Sequence, residues 1–541
     1  MQSFLLQFRR DYLTLLNQEV ISPSVQRVLV SLIVAACLFV RLWTIDAPPL
    51  DRTTWKEIDY LTISTNYWQH GFKFFEPEVT WPAEPPRITA LELPLIPYVT
   101  ALLYPLFGVT PYSARILSTF GWLLMCVYVF RLAKRELGPL VGVLSALASS
   151  IMPLYHPMGR MLFSDPVMLA MSVMALFHFS EWVERRRQCD GFLAMGAFSL
   201  AVALKLEPLY LLLPILWIAF RQYGWRLGEY RQFVILVGCA LILPILWYSY
   251  AYHLAHTYTD VFGVFGGIGG REAHNKFQTL TMLSNPEWYS IMYKRLTGQI
   301  LGGMVGTVLF LVGLFVSLVL RTGKLFLVYA LTMGIYFGLV AEGQIDAHYR
   351  QLASVPPFAG FIALGSLAVW AVPLAAWRSF SNSFGPVWWH ARVCVLGGIA
   401  LIALIGFQMR WSIMGQHLYL PPHPVTWEFA QVIMSHADKN SKLVTAGEYT
   451  IHKGGNDLSP VLYYYSNLQG WSLQAGEWDF HLIETLIAKG ATHFAAVQMS
   501  REPDAEPFLR EMRTRYPVLY DKDDMVLLDL RPSNNSKLAQ R

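Results

Sequence analysis

The sequence predicts a polytopic helical membrane protein, mostly α, with a small soluble α/β domain at its C-terminus. Three observations predict it. Mean hydropathy is +0.37. Charged residues make up 15% of the 541 positions, where soluble chains carry about a quarter. Uncharged apolar runs recur from residue 28 to about 408, and the chain then turns polar. Many runs approach the ~20 residues that span a bilayer, which a soluble core does not require. The net charge of +5 needs no nucleic-acid partner, because Lys/Arg bias in membrane loops accounts for it.

The candidate spans, in order, are 26–45, 113–131, 139–156, 165–183, 191–205, 207–221, 232–252, 299–320, 324–341, 352–373 and 391–409. Ahead of them, Phe4, Leu5, Phe8, Tyr12, Leu15 and Leu16 share one helical face, with Arg9 and Arg10 opposite. This suits an interfacial helix on the cytoplasmic surface rather than a cleavable signal peptide. The stretch 91–108 is apolar too, but Pro94, Pro97 and Pro105 interrupt it. Read as a re-entrant or interfacial helix, it puts the basic clusters Arg131/Lys134/Arg135, Arg185–Arg187 and Arg221/Arg226/Arg231 on the cytoplasmic side together. The N-terminus is then cytoplasmic. Loop 46–112, the loops near Asp165, Lys205–Glu207 and 342–351, and the C-terminal domain are extracytoplasmic. The expected division is 1–410 for the membrane domain and 411–541 for the soluble one.

In the soluble part, 426–437 and 481–490 have helical spacing, while 442–449, 493–499 and 525–530 read as strands. No nucleotide-binding glycine motif and no HExxH occurs. The Gly-rich 263–270 lacks a framing strand and reads as a loop. The five cysteines show no paired spacing for a disulfide or a zinc site.

Several segments, taken together and in order, resemble the polyprenyl-phosphate-dependent glycosyltransferases of the GT-C superfamily. That group includes the protein O-mannosyltransferases and the lipid A aminoarabinose transferases of bacteria. "RLWTIDAPPLD" is similar to their Arg-Leu-Trp stretch and first outer-loop Asp. "LDRTTWKEIDYLTISTNYWQHG" resembles a bacterial branch's Trp-Arg-Gln and Asp-Thr-Ala segment. "LELPLIPY", "GRMLFSDPVMLA", "ALKLEPL", "DAHYRQLASVPP" and "VLYYYSNLQGW" resemble the later motifs. The chain departs from the pattern at Asp51-Arg52, Trp55-Lys56-Glu57 and Ser64-Thr65-Asn66, which leaves the donor sugar and any divalent metal open.

The resemblance implies inverting transfer of one sugar from a polyprenyl phosphate to an extracytoplasmic glycan, lipid or protein acceptor, in the inner membrane of a bacterium. It implies no nucleic acid. The chemistry needs a carboxylate base and cations on the leaving phosphate. Asp51 is the candidate base; its bland reading is a turn residue after Pro-Pro-Leu. Asp165 is a candidate for acceptor binding, for holding a metal or for support of Asp51, and equally a helix N-cap ahead of Pro166. Glu92 is a third carboxylate, or an exposed interfacial residue. Lys205 is a candidate phosphate grip, or a snorkelling lysine. Arg52, Lys56, Arg87 and Arg160 are further cations that would equally suit lipid headgroups. His348, Tyr349 and Arg350 are candidates for phosphate or metal contact. A lipid or glycan transporter and a lipid-linked oligosaccharide ligase or polymerase are the alternatives. A transporter's inverted repeats are not visible in the sequence.

Overall fold

The computed structural model describes residues 22–42, 54–81, 83–152, 160–258, 279–381, 396–404, 424–447, 460–473, 477–497 and 505–531, with a few isolated positions elsewhere. It forms two compact units. The first comprises Met1–Ala47, Thr110–Ser249 and His274–Tyr419; the second comprises Pro48–Val109, Tyr250–Ala273 and Leu420–Arg541.

The first unit is helical. Helices Pro23–Leu42, Pro111–Leu137, Pro139–Ile151, Asp165–Arg185, Gln188–Leu204, Leu212–Tyr223, Tyr230–Thr257, Met304–Leu320, Lys324–Leu339 and Val355–Ser381, and a short one at 396–404, occupy the apolar stretches. Among the described residues four helices are long and apolar enough to cross a membrane, or five if the bent pair Pro286–Ile300 and Met304–Leu320 is one span. That pair bends by 97°, through a π-helical turn at Arg295–Ile300 and left-handed Gly302 and Gly303. The interfacial N-terminal helix expected before Leu16 lies largely outside the described residues.

Close packing in this unit uses small residues. A Cβ on Gly313 would meet the Phe361 carbonyl oxygen at 1.9 Å, and one on Gly365 would meet that of Leu309 at 1.9 Å. The Met304–Leu320 and Val355–Ser381 helices therefore cross backbone to backbone, as small residues permit where lipid offers no hydrophobic driving force. Arg41, fully buried, lies over the Trp122 ring at 3.5 Å. Buried Arg115 donates to the Ile45 carbonyl at 2.8 Å. At the opposite ends of these helices from Asp165, Arg135 pairs with Glu181 and Glu184, and Arg221 with Glu136 at 2.7 Å. Two of the sequence's basic clusters are thus knitted to neighbouring carboxylates.

The second unit is built on a five-stranded mixed sheet in the order β2-β1-β3-β5-β4. Its strands are β1 Lys442–Gly447, β2 Gln469–Leu473, β3 His493–Val497, β4 Val518–Lys522 and β5 Met525–Asp529. β1 runs parallel to β2 and β3; β5 runs antiparallel to β3 and β4. In the register, Val444 stands beside both Trp471 and Phe494. β3 is buried along its length, as a central strand covered on both faces must be. The turn between β4 and β5 places Asp523 and Asp524 at φ of 52° and 60°, the left-handed pair of a two-residue hairpin. Sequence patterning marks β1, β3 and β5, which are nearly continuous buried runs, but not β2 or β4, because "QGWSL" and "VLYDK" mix polar and apolar residues.

The first outer loop is woven into this sheet. Ala83 joins one apolar cluster of the sheet and Trp81 another. Trp471 donates its indole N–H to Glu84 at 2.7 Å, and Arg87 donates to Gln469 at 2.8 Å. Segment 81–87 thereby covers the β2 edge, which would otherwise present unpaired backbone groups. The helices Thr54–His70 and Leu95–Phe107 pack through Ile63, Tyr67, Ala101 and Tyr104. The prolines expected to break 91–108 leave one continuous helix: Pro94 caps it, Pro97 sits in the first turn and Pro105 in the last, and a first-turn proline removes no intrahelical hydrogen bond. At 13 residues it is about 20 Å long, short of a ~30 Å hydrocarbon core.

His493 is fully buried. Its Nδ1 lies 2.9 Å from the Thr492 hydroxyl, and its Nε2 has no partner. Burial, with the Arg531 charge adding to it, pushes the imidazole below its ordinary value. A base whose pKa is lower in the folded state leaves the unfolded chain holding more protons, so its contribution is complete above about pH 6.5 and is lost as pH falls below it. Hydrogen exchange of β1 and β3 in the full-length protein should therefore show protection falling between about pH 7.5 and about 5.5 relative to His493→Gln. A wild-type to variant ratio independent of pH would contradict this.

Candidate functional site

In the helical unit, Asp165 opens the Asp165–Arg185 helix, with Pro166 behind it. Ser164, not Asp165, occupies the N-cap position, so the capping role considered from sequence does not account for Asp165. Its carboxylate turns instead to Lys205, the C-cap residue of Gln188–Leu204. The ammonium donates to Asp165 Oδ1 at 2.7 Å, and the two side chains are 1% and 4% exposed. Lys205 therefore does not snorkel to solvent.

The pair extends into a chain of alternating charge. Glu207, first residue of the short 3₁₀ helix Glu207–Leu211, places Oε1 3.9 Å from Lys205 Nζ and 3.9 Å from Arg350 Nε. Tyr349 lies beneath Lys205, its ring centroid 4.6 Å from Nζ, and Phe163 packs on that ring at 5.9 Å. Segment His348–Ser354 forms a 3₁₀ helix, which carries His348, Tyr349 and Arg350 on successive residues. Arg160 is buried on the turn before Asp165. Asp165 Oδ2, also buried, accepts no hydrogen bond. The arrangement holds a fixed cation beside a carboxylate with one oxygen open, which can bind an anion and orient a hydroxyl.

Glu207, a charge bordering an apolar helix, is a functional candidate from sequence on that ground, whereas Tyr210 is not. The Tyr210 ring stacks on Tyr329 at 6.1 Å and faces Tyr336 at 5.6 Å. Charge at a span's end is the signal that finds Glu207; no sequence signal finds the tyrosines.

In the second unit, Asp51 and Arg52 lie outside the described residues. Lys56 Nζ is 3.7 Å from Glu92, both side chains 18% exposed, so Glu92 is a paired carboxylate rather than an exposed interfacial one. Arg87, besides Gln469, approaches Glu78 at 3.8 Å, and its contacts are those of a strut between loop and sheet. Asp59, one helical turn along from Lys56, was missed. It is buried, with Oδ1 lacking a partner, and burial pushes its carboxyl well above the usual range, opposed in part by Lys56. Among the described residues no group of three His, Cys, Asp or Glu side chains is placed to hold a metal. His253 and His256 stand exposed on one helix, and His256 Nδ1 lies 2.8 Å from the Tyr252 carbonyl.

Residues 86–248 match the family model for dolichyl-phosphate-mannose-protein mannosyltransferases. No curated protein sequence gives a significant match. Among solved structures, the chain is similar to apo ArnT from Cupriavidus metallidurans, at TM-score 0.60 and 13% identity over 92% of this chain and 97% of that one. It is similar to the same enzyme bound to undecaprenyl phosphate, at TM-score 0.57 and 14% identity over 93% and 98%. It also resembles the apo oligosaccharyltransferase of Archaeoglobus fulgidus, at TM-score 0.55 and 12% identity over 89% and 70%. The chain thus has the fold of ArnT and of the archaeal oligosaccharyltransferase.

Removing one member of a buried ion pair leaves an uncompensated charge, at about 3–5 kcal/mol. Lys205→Met should destabilise the purified protein by that order, and adding Asp165→Asn should recover a large part of it. A double-mutant cycle on unfolding in detergent measures this, and additive losses would mean that the two groups do not interact.

Proposed function

We propose that the protein is an inverting membrane glycosyltransferase, which moves one sugar from a polyprenyl phosphate to an extracytoplasmic acceptor: the hydroxyl or phosphate of a glycan, lipid or protein. The observation that carries this reading is the buried Lys205–Asp165 pair with Glu207 and Arg350 beside it. Asp165, Lys205 and Glu207 all lie inside the segment that matches the mannosyltransferase model. The related enzyme that binds undecaprenyl phosphate supports a donor of that lipid class.

In the proposed reaction, Lys205 and Arg350 hold the phosphate, with His348 and Arg160 as further donors. As the bond between the anomeric carbon and the phosphate oxygen breaks, charge grows on the phosphate. Cations fixed in a dry site stabilise that charge with little reorganisation. The leaving group departs as a phosphate and needs no general acid. Asp51 is assigned as the base that takes the acceptor's proton while its oxygen bonds to the opposite face of the anomeric carbon. Asp165 and Glu92 are assigned supporting roles, Asp165 through its open oxygen. Arg52 and Lys56 are assigned to lipid or substrate headgroups, and Tyr349 to a platform under Lys205.

The proposal includes eleven spans in residues 1–410, a soluble domain in 411–541, a cytoplasmic N-terminus and an extracytoplasmic C-terminus, in a bacterial inner membrane. A second reading, transfer of a lipid-linked oligosaccharide, draws on the archaeal likeness. The match to a single-sugar transferase family favours the first. Turnover with labelled polyprenyl-phosphate monosaccharides against oligosaccharide lipids separates the two, and absence of turnover with either would favour a transporter.

Asp51→Asn keeps size but cannot accept a proton, so turnover should fall by about 10²–10⁴-fold while donor binding persists. Near-normal turnover would remove Asp51 as the base. For sidedness, native Cys189 is exposed and should resist a membrane-impermeant thiol reagent on intact cells, whereas Lys439→Cys should react once the outer membrane is permeabilised. Labelling at both positions, or only at Cys189, would overturn the topology.

A further inference from the structure

Beside the charged chain lies a second group of buried polar atoms, and it is uncharged in its main part. Gln344, on the short helix Ala341–Asp346, is completely buried, yet neither the oxygen nor the nitrogen of its carboxamide has a hydrogen-bond partner. Its backbone is firmly held. The Gln344 carbonyl accepts from Arg295 Nη1 and, at 3.0 Å, from Gln351 Nε2, while Arg295 Nη2 donates to the Ile345 carbonyl at 2.9 Å. The open groups around it repeat the pattern. Gln351 Oε1, the Tyr336 hydroxyl and Glu342 Oε2 are buried without partners. Tyr336 stands beside Gln344 without an ordinary hydrogen bond, and within electrostatic range of Glu207 and Arg350.

A buried polar group left unsatisfied costs roughly what a lost hydrogen bond costs, and native structures contain few. Here donors and acceptors of both kinds are concentrated on a rigid backbone where the chain bends at Arg295–Ile300. Carboxamides and a phenol both give and accept hydrogen bonds and carry no charge. They suit neutral hydroxyl groups spaced around a ring. They suit a phosphate poorly, and the cations that suit it are adjacent.

We propose that Gln344, with Gln351 and Tyr336, forms the subsite that holds the donor's sugar ring and discriminates among sugars by its hydroxyl pattern. The inference rests on the glycosyltransferase reading above. Adjacency to Glu207 and Arg350 selects the donor over the acceptor, since the donor sugar is joined to the phosphate by a single oxygen. Sites that hydrogen-bond a hydroxyl reject analogues that lack it far more strongly than apolar pockets reject an added group, so such a site would set sugar choice.

The test compares the affinities of purified full-length protein for a polyprenyl-phosphate sugar and for bare polyprenyl phosphate. In Gln344→Leu the preference for the sugar-bearing lipid should fall about 10- to 100-fold, with affinity for the bare lipid unchanged. The melting temperature should stay level or rise, because the substitution removes an unsatisfied buried amide. Gln344→Met, a second apolar replacement of similar size, should behave alike and guards against misfolding of the first. A preference unchanged in both variants would overturn the subsite, leaving pocket water as the partner of these atoms. A change confined to the KM for the acceptor would overturn it equally. Failure of the wild type to bind either lipid would instead sink the glycosyltransferase reading.

Discussion

The helical unit depends on one buried ion pair. Asp165 and Lys205 lie at opposite kinds of helix end. The carboxylate is at an N-terminus and the ammonium at a C-terminus, so each charge is favoured by its own helix dipole. Their mutual distance of 2.7 Å ties the start of Asp165–Arg185 to the end of Gln188–Leu204, two helices that also pack along their length. Desolvating both charges offsets much of the attraction, and a packed apolar pair is often no less stable. What the pair provides is position: it fixes an ammonium, an open carboxylate oxygen and, through Glu207, the Arg350 guanidinium in one buried place.

Around that point the unit is rigid where small residues let backbones touch, as at Gly313 and Gly365, and irregular where the Pro286–Ile300 and Met304–Leu320 pair bends. Non-helical backbone within an apolar helical unit is tolerated where it is buried in protein or lines a cavity. The irregular stretch carries Arg295, whose guanidinium is spent on carbonyls of the Ala341–Asp346 helix. The charges at the other ends of the helices serve differently: Arg135 and Arg221 are consumed by Glu136, Glu181 and Glu184, and hold helices together.

In the second unit the sheet gains its edge cover from a segment hundreds of residues earlier in the chain. Glu84 meets Trp471 and Lys489, and these partners hold its carboxyl below the usual range although partial burial acts the other way. Asp59 shows the opposite balance. Burial dominates and Lys56 compensates only in part. Two carboxylates of one loop are thus pushed apart in acidity by their surroundings alone.

The sequence by itself determined the class of the protein. Apolar runs report burial or lipid directly, because they are a local property of composition, and among the described residues a helix lies in each of the predicted stretches. The strands β1, β3 and β5 were legible because β1 and β3 are nearly all buried and β5 runs hydrophobic to its last residue. Edge strands β2 and β4 were not, because one face or one side meets other segments and the pattern weakens. Lys205 and Asp165 were visible as charges at span ends. Only tertiary structure could pair them, since they are 40 residues apart and a carboxylate's partner is a matter of distance, not of neighbours in the chain. The same holds for Gln344. A glutamine in a polar stretch carries no signal, and its isolation follows from what the bend at Arg295–Ile300 and the helix Ala341–Asp346 leave around it.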